Sequence, residues 1–140
     1  MPIRALTLLA ALLAATGVHA ADLRVEVTLP AERQGTVLAA VFDQADGFPR
    51  GKPLRTATAQ PVEGKAVVEF PGLPTGDYAV SVFLDENANL KLDANLFGMP
   101  TELYGFSRNA RNLAGPPAFA DAVMRVEDGA QPPQQAIELK

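Results

Sequence analysis

The sequence predicts an all-β domain, a sandwich of about seven short strands with one long irregular excursion between its late strands. Three observations predict it. Apolar and polar residues alternate with period two in several short stretches, which is the mark of a half-buried strand. The 11 glycines and 12 prolines fall largely between those stretches, where they end strands and set turns. No apolar stripe at helical spacing, long enough to pack as a helix, occurs after residue 20.

Residues 1–20 read differently from the rest. Arg4 is the only charged side chain among them, residues 5–18 form the uncharged run ALTLLAALLAATGV, and Val18-His19-Ala20 follows. That order is a signal peptide with small residues where the peptidase inspects the chain. The run is shorter than the roughly 20 residues a membrane span requires, and no Lys/Arg cluster follows it. Residues 1–20 are therefore expected to be cut off after Ala20, leaving residues 21–140 as one β-sandwich domain with no transmembrane segment, periplasmic or secreted. An uncleaved anchor or a buried first helix fits less well, because β-like sequence starts at once. There is no cysteine, so no lipid anchor on cysteine and no disulfide can form. A cysteine-free exported domain of about 120 residues suits a bacterial periplasm better than an animal extracellular fluid.

Along the mature chain, residues 23–29 alternate strictly, with Leu23, Val25, Val27 and Leu29 on one face, until Pro30 removes a donor. Residues 35–43 (GTVLAAVFD) are apolar on both faces, which predicts a central strand packed inward and covered outward. Gly47, Pro49, Gly51 and Pro53 make residues 44–53 a loop. Short strands are expected over residues 54–60, 65–70 and 79–84. Between the last two, PGLPTGDY at residues 71–78 is a turn signature. There Tyr78 is placed to reach back with its hydroxyl as a tyrosine corner, and Leu73 to plug the sandwich end. Residues 85–118 have weak periodicity and many Asn, Gly and Pro; only residues 90–97 suit a helical turn. A connection of that length in a compact domain has a specific job or hides short elements. Residues 119–126 are strand-like, residues 129–133 turn, and residues 136–139 form a final edge strand.

Three stretches together resemble a known family. They are FPGLPTGDYAV at residues 70–80, DENANLKLD at residues 85–93, and FGMPTELYGFS at residues 97–107 followed by GPPAFADA at residues 115–122. Their order and spacing are similar to the DUF2141 family of uncharacterised exported bacterial proteins, over nearly the whole mature chain, the third stretch being the most specific. The resemblance implies an Ig-like or prealbumin-like β-sandwich outside the cytoplasm, and it implies no activity. The chain departs from the usual family loop D-E-N-G-N-G-K-L-D at Ala88 and Leu90, where glycines are usual. It departs again at Leu84, where a histidine often precedes the aspartate.

Two groups of residues are candidates for function. Asp85, Asn87, Asn89, the carbonyl of Lys91, and Asp93 have the oxygen-ligand spacing of a calcium loop. Leu90 stands where such a loop needs glycine, and Leu96 where it needs a bidentate glutamate; Glu102 could join only through folding. The alternative is an Asx-rich turn in which Asn and Asp bond their own backbone. Tyr104, Phe106, Ser107, Arg108, Asn109, Arg111 and Asn112 mix aromatics, amides and guanidinium in a way that suits a shallow ligand groove. The alternative is a connection pinned to the sandwich by Phe97, Tyr104 and Phe106, with Phe119 pinning its far end.

Catalysis has little to draw on. The one histidine, His19, lies in the segment expected to be removed, so no Ser-His-Asp, Cys-His or zinc arrangement can form. Asp85, Asp93, Glu102 and Asp121 are available for carboxylate-pair chemistry, but their spacing does not set any two across a cleft. With 12 basic and 16 acidic residues the net charge is −4, and loss of Arg4 makes it −5. No basic block exists to hold nucleic acid or an anionic membrane. The expected role is a non-catalytic binding or interaction module with no cofactor except that calcium, its partner a protein, peptide or glycan at the cell envelope. The alternatives are a structural envelope-associated domain without a groove, stabilised by calcium if the loop holds it, and an enzyme using paired carboxylates. Binding at residues 104–112 requires exposed side chains beside a concave surface; the structural alternative requires its aromatics buried.

Overall fold

The computed structural model describes residues 20–129 and 134–140; all of the expected signal peptide at residues 1–20 except Ala20, and most of the turn at residues 129–133, lie outside them. Among the described residues eight strands form: β1 Ala20–Thr28, β2 Thr36–Phe42, β3 Arg55–Ala59, β4 Lys65–Pro74, β5 Gly76–Asp85, β6 Tyr104–Phe106, β7 Met124–Val126 and β8 Gln134–Glu138. A 3-10 turn at Ser107–Asn109 and a one-turn helix α1 at Phe119–Ala122 are the only helical pieces among the described residues. One sheet has the order β4-β1-β8, the other β3-β2-β5-β6 with β7 also on β5. This is the expected all-β sandwich.

Period-two alternation builds the core directly. Antiparallel pairing sets Leu23 against Phe70, Val25 against Val68 and Val27 against Ala66, so every apolar residue of β1 has an apolar neighbour on the same face. β8 adds Ile137 beside Val27 in parallel register. Facing them across the sandwich are Val37 and Val41 of β2 and Val80, Val82 and Leu84 of β5. The outer face of the second sheet is apolar too, as residues 35–43 predict, and it is covered. Ala79, Phe106, Ala110 and Ala122 form a second cluster with Phe48, Tyr104 and Phe119. The Phe48 ring sits at its centre, edge-on to Phe42, Phe106 and Phe119 at 5.3, 5.9 and 5.8 Å.

The chain end closes one side of the sandwich. Leu139 donates its N–H to the Thr28 carbonyl at 2.9 Å, while Lys140 and Tyr104 exchange backbone hydrogen bonds at 3.1 and 3.2 Å. Gly105 permits this approach, since a Cβ there would lie 2.8 Å from Ile137 Cγ2 and 2.9 Å from the Glu138 carbonyl oxygen.

The structure corrects four local expectations. β4 runs through the expected turn as far as Pro74, because Leu73 pairs with Ala21 and is fully buried. Residues 119–126 divide into α1 and β7 rather than one strand; the Ala122 carbonyl accepts the Ser107 hydroxyl instead of a ladder bond. Residues 90–97 form no helical turn, since Ala88 and Leu90 take φ of 60° and 63°. β6 is an additional strand inside the excursion. Leu73 plugs the core as expected, and the Tyr78 hydroxyl donates to the Pro74 carbonyl at 2.7 Å, a tyrosine corner.

Candidate functional site

Residues 85–103 leave the end of β5, turn twice and return to β6, and Glu102 holds the excursion together. Its carboxylate is buried and accepts the Glu86 N–H at 2.9 Å through Oε1 and the Asp93 N–H at 3.0 Å through Oε2. The Thr101 N–H returns to the Asp93 carbonyl at 2.8 Å. Arg33 reaches over from the β1–β2 connection to Glu86 Oε1 at 2.5 Å, and that hydrogen bond raises its pKa. Backbone N–H groups bonded to carboxylates are stronger than neutral pairs, so one buried glutamate fixes both limbs of the loop.

Asp85, at the start of the excursion, is also buried and accepts the N–H groups of Asn89 and Leu90 at 3.2 and 2.9 Å. Asn87 Oδ1 accepts from Asn89 N at 3.3 Å and Asn89 Oδ1 from Lys91 N at 3.0 Å. The Nδ2 groups of Asn87 and Asn89 donate to the Asp93 carboxylate at 2.5 and 2.8 Å. These are nested Asx turns, and they explain how Ala88 and Leu90 occupy left-handed φ where the family loop has glycine. Asp85, Asn87, Asn89, Lys91 and Asp93 do come together, but through the loop's own backbone and amides. Among the described residues no group of three or more His, Cys, Asp or Glu side chains is disposed to hold a metal ion.

Beyond Asp93 the loop is apolar and outward. Asn95 Oδ1 accepts the N–H of Phe97 at 2.9 Å and of Met99 at 3.1 Å; Asn95 N donates to the Met99 carbonyl at 2.8 Å. Ala94 and Pro100 form a bridge beneath this turn. On that frame Leu96 is 101% and Phe97 89% exposed, with Leu90, Leu92 and Met99 also exposed. The expectation that Phe97 pins the excursion is thus overturned; Phe119 and Tyr104 pack against the second cluster instead. Isolated exposed leucines are ordinary, but five large apolar side chains on one ten-residue loop are not. The run LKLDANLFGM, whose residues 90–97 suit a helical turn by sequence, carried no sign that its apolar side chains would stay uncovered among the described residues.

The segment from Tyr104 to Asn112 is divided. Phe106 and Ser107 are buried, so neither lines a surface: the Phe106 ring fills the second cluster, and Ser107 Oγ accepts Val80 N at 2.9 Å while donating to the Ala122 carbonyl at 2.6 Å. Tyr104 is half-buried with the Arg111 guanidinium 5.5 Å above its ring. Asn109 stands beside the open edge of β8, accepting Glu138 N at 2.9 Å and donating to the Ala136 carbonyl at 3.4 Å. Arg108 N bonds Gln135 Oε1 at 3.0 Å and Arg111 donates to the Glu138 carbonyl at 3.2 Å. Asn112 Nδ2 reaches only the nearby Pro116 carbonyl, at 3.5 Å. Most of these polar groups cap a strand edge, a standard defence against edge-to-edge pairing.

On the outer face of the first sheet, Arg24 pairs with Glu26 and with Glu69 on the neighbouring strand, both at 3.4 Å. Asp121 is exposed on α1, remote in sequence from the Glu102 network. No described helix is long and apolar enough to cross a membrane. Residues 25–134 match the DUF2141 family, described as an uncharacterised protein conserved in bacteria. No curated protein and no solved structure matches the chain.

Proposed function

The chain belongs to the DUF2141 family, and from that premise we propose that it is an exported, non-catalytic interaction module whose contact surface is the apolar loop of residues 90–99. One observation carries the reading: Leu96 and Phe97 are exposed to solvent on a turn whose backbone is hydrogen-bonded in place. A rigid turn loses little entropy on docking, so its exposed apolar area converts efficiently into affinity. The carboxylates that chemistry would need support the non-catalytic half: Asp85 and Glu102 accept backbone N–H groups and Asp93 accepts two amides. The leader-like residues 1–20 support export, with cleavage after Ala20 into a periplasmic or secreted protein. A purely structural envelope domain is the second reading, favoured by Phe106 and Ser107 being spent on packing.

The test places a photo-crosslinking side chain at position 97, and at the exposed Thr58 as control, in the protein exported with its own leader. An adduct at 97 and none at 58 is the expected result, on a chain whose mass begins at Ala21. Absence of adducts at both positions overturns the contact surface and leaves the structural reading.

A further inference from the structure

We propose that the occupant of this surface is a second copy of the same chain, packed about a two-fold axis that passes near Phe97. The inference rests on residues 90–99 being a contact surface and names its partner.

Charge is the first argument. Residues 90–101 contain one lysine and one aspartate, Lys91 and Asp93, and the Asp93 carboxylate is already met by Asn87 and Asn89. The patch is therefore neutral, and the whole chain carries −4. An anionic lipid surface would find an acidic protein and no cluster of Lys or Arg to attract it. A neutral apolar patch, by contrast, is complementary to itself, which is what an isologous contact requires. Net repulsion between two acidic copies is screened beyond about 8 Å at physiological salt.

Area is the second argument. Leu90, Leu92, Leu96, Phe97 and Met99 are 72, 39, 101, 89 and 61% exposed. Summed along the loop they expose on the order of 600 Å², against the ~800 Å² that each partner supplies to a standard interface. Phe97 between Leu96 and Met99 is the aromatic anchor around which such contacts concentrate their energy.

Preorganisation is the third. Asn95 binds both limbs of the turn and Glu102 clamps its base, so the same surface exists before and after association.

The exported protein should sediment as a dimer at about 10 µM, a weak but specific contact for this area. Phe97→Ser should raise the dissociation constant at least tenfold, with its melting curve matching wild type at concentrations where both are monomers, while Phe97→Leu keeps the dimer. The chain has no cysteine, so Phe97→Cys gives a clean second readout: mild oxidation should join two copies rapidly. Leu113→Cys, equally exposed on the separate Asn112–Gly115 bridge, should stay unjoined. A wild-type monomer at about 100 µM, with position 97 joining no faster than 113, overturns the dimer. If position 97 then still crosslinks to another protein in the cell, or the protein is retained on phosphatidylethanolamine/phosphatidylglycerol vesicles, the contact surface survives with a different occupant. No adduct of any kind removes the contact surface as well.

Discussion

Tyr78 ties the start of β5 to the end of β4, and its chemistry is readable in pH. Its hydroxyl bonds the Pro74 carbonyl at 2.7 Å, and burial, with Asp43 adding repulsion, pushes its pKa above the ordinary value of 10.0. The folded state therefore holds this proton to higher pH than the unfolded state, so its stabilisation is complete below pH 10 and falls as pH rises through the raised pKa. Tyr78→Phe should cost about 1 kcal/mol at neutral pH and should lose stability less steeply than wild type above pH 10, as denaturant midpoints measured across that range will show. The Asx loop makes an equally sharp residue-level case. Asn87 and Asn89 turn their Nδ2 groups toward Asp93 and give their oxygens to backbone N–H groups. Millimolar calcium is expected to leave the melting temperature of the protein unchanged; a saturable rise that disappears in Asp93→Ala would make the loop a metal site.

Elements in this fold depend on side chains that stand in for missing strands. β8 pairs with β1 on one side only, and on the other Asn109 supplies an acceptor to Glu138 N and a donor to the Ala136 carbonyl. Arg108 and Asn109 adopt positive φ of 59° and 49° to bring that amide into place, a conformation Asn tolerates better than most residues. Asn109→Ala should destabilise the protein by about 1–2 kcal/mol and speed hydrogen exchange at the Glu138 amide, with the exchange at Val25 unaffected. Equal acceleration at both amides would mean global loosening rather than an uncapped edge. The polar cluster at residues 104–112 was visible in the sequence, but its purpose was not. Arg, Asn and aromatic residues together suit a groove or an edge cap equally, and only the position of β8, some 27 residues later in sequence, distinguishes them.

At the scale of the whole molecule, two sheets are joined by the last two residues. Leu139 bonds the first sheet at Thr28, and Lys140 bonds the second at Tyr104. Leu139 is also buried in the core. Removing residues 139–140 should cost about 2–5 kcal/mol, the range for deleting a buried leucine, and lower the melting temperature accordingly; a truncated protein as stable as the full chain would show the seam to be incidental. The sequence by itself determined what is local. Alternation in residues 23–29 and 65–70 defined β1 and most of β4, the two-sided apolar run at 35–43 announced a doubly covered central strand, and Gly76-Asp77-Tyr78 announced the corner. The reason is that a strand's period and a turn's dihedrals are imposed on neighbouring residues. Tertiary structure alone decided the rest. β6 is three residues long, too short to show a period, and exists because β5 and Lys140 offer it partners. Glu102 became the clamp of its loop because folding brought Glu86 and Asp93 to its two oxygens. Phe106 went inside and Phe97 stayed outside although both are phenylalanines in one irregular stretch, because burial depends on whether a sheet face lies within reach, and that is a property of distant residues.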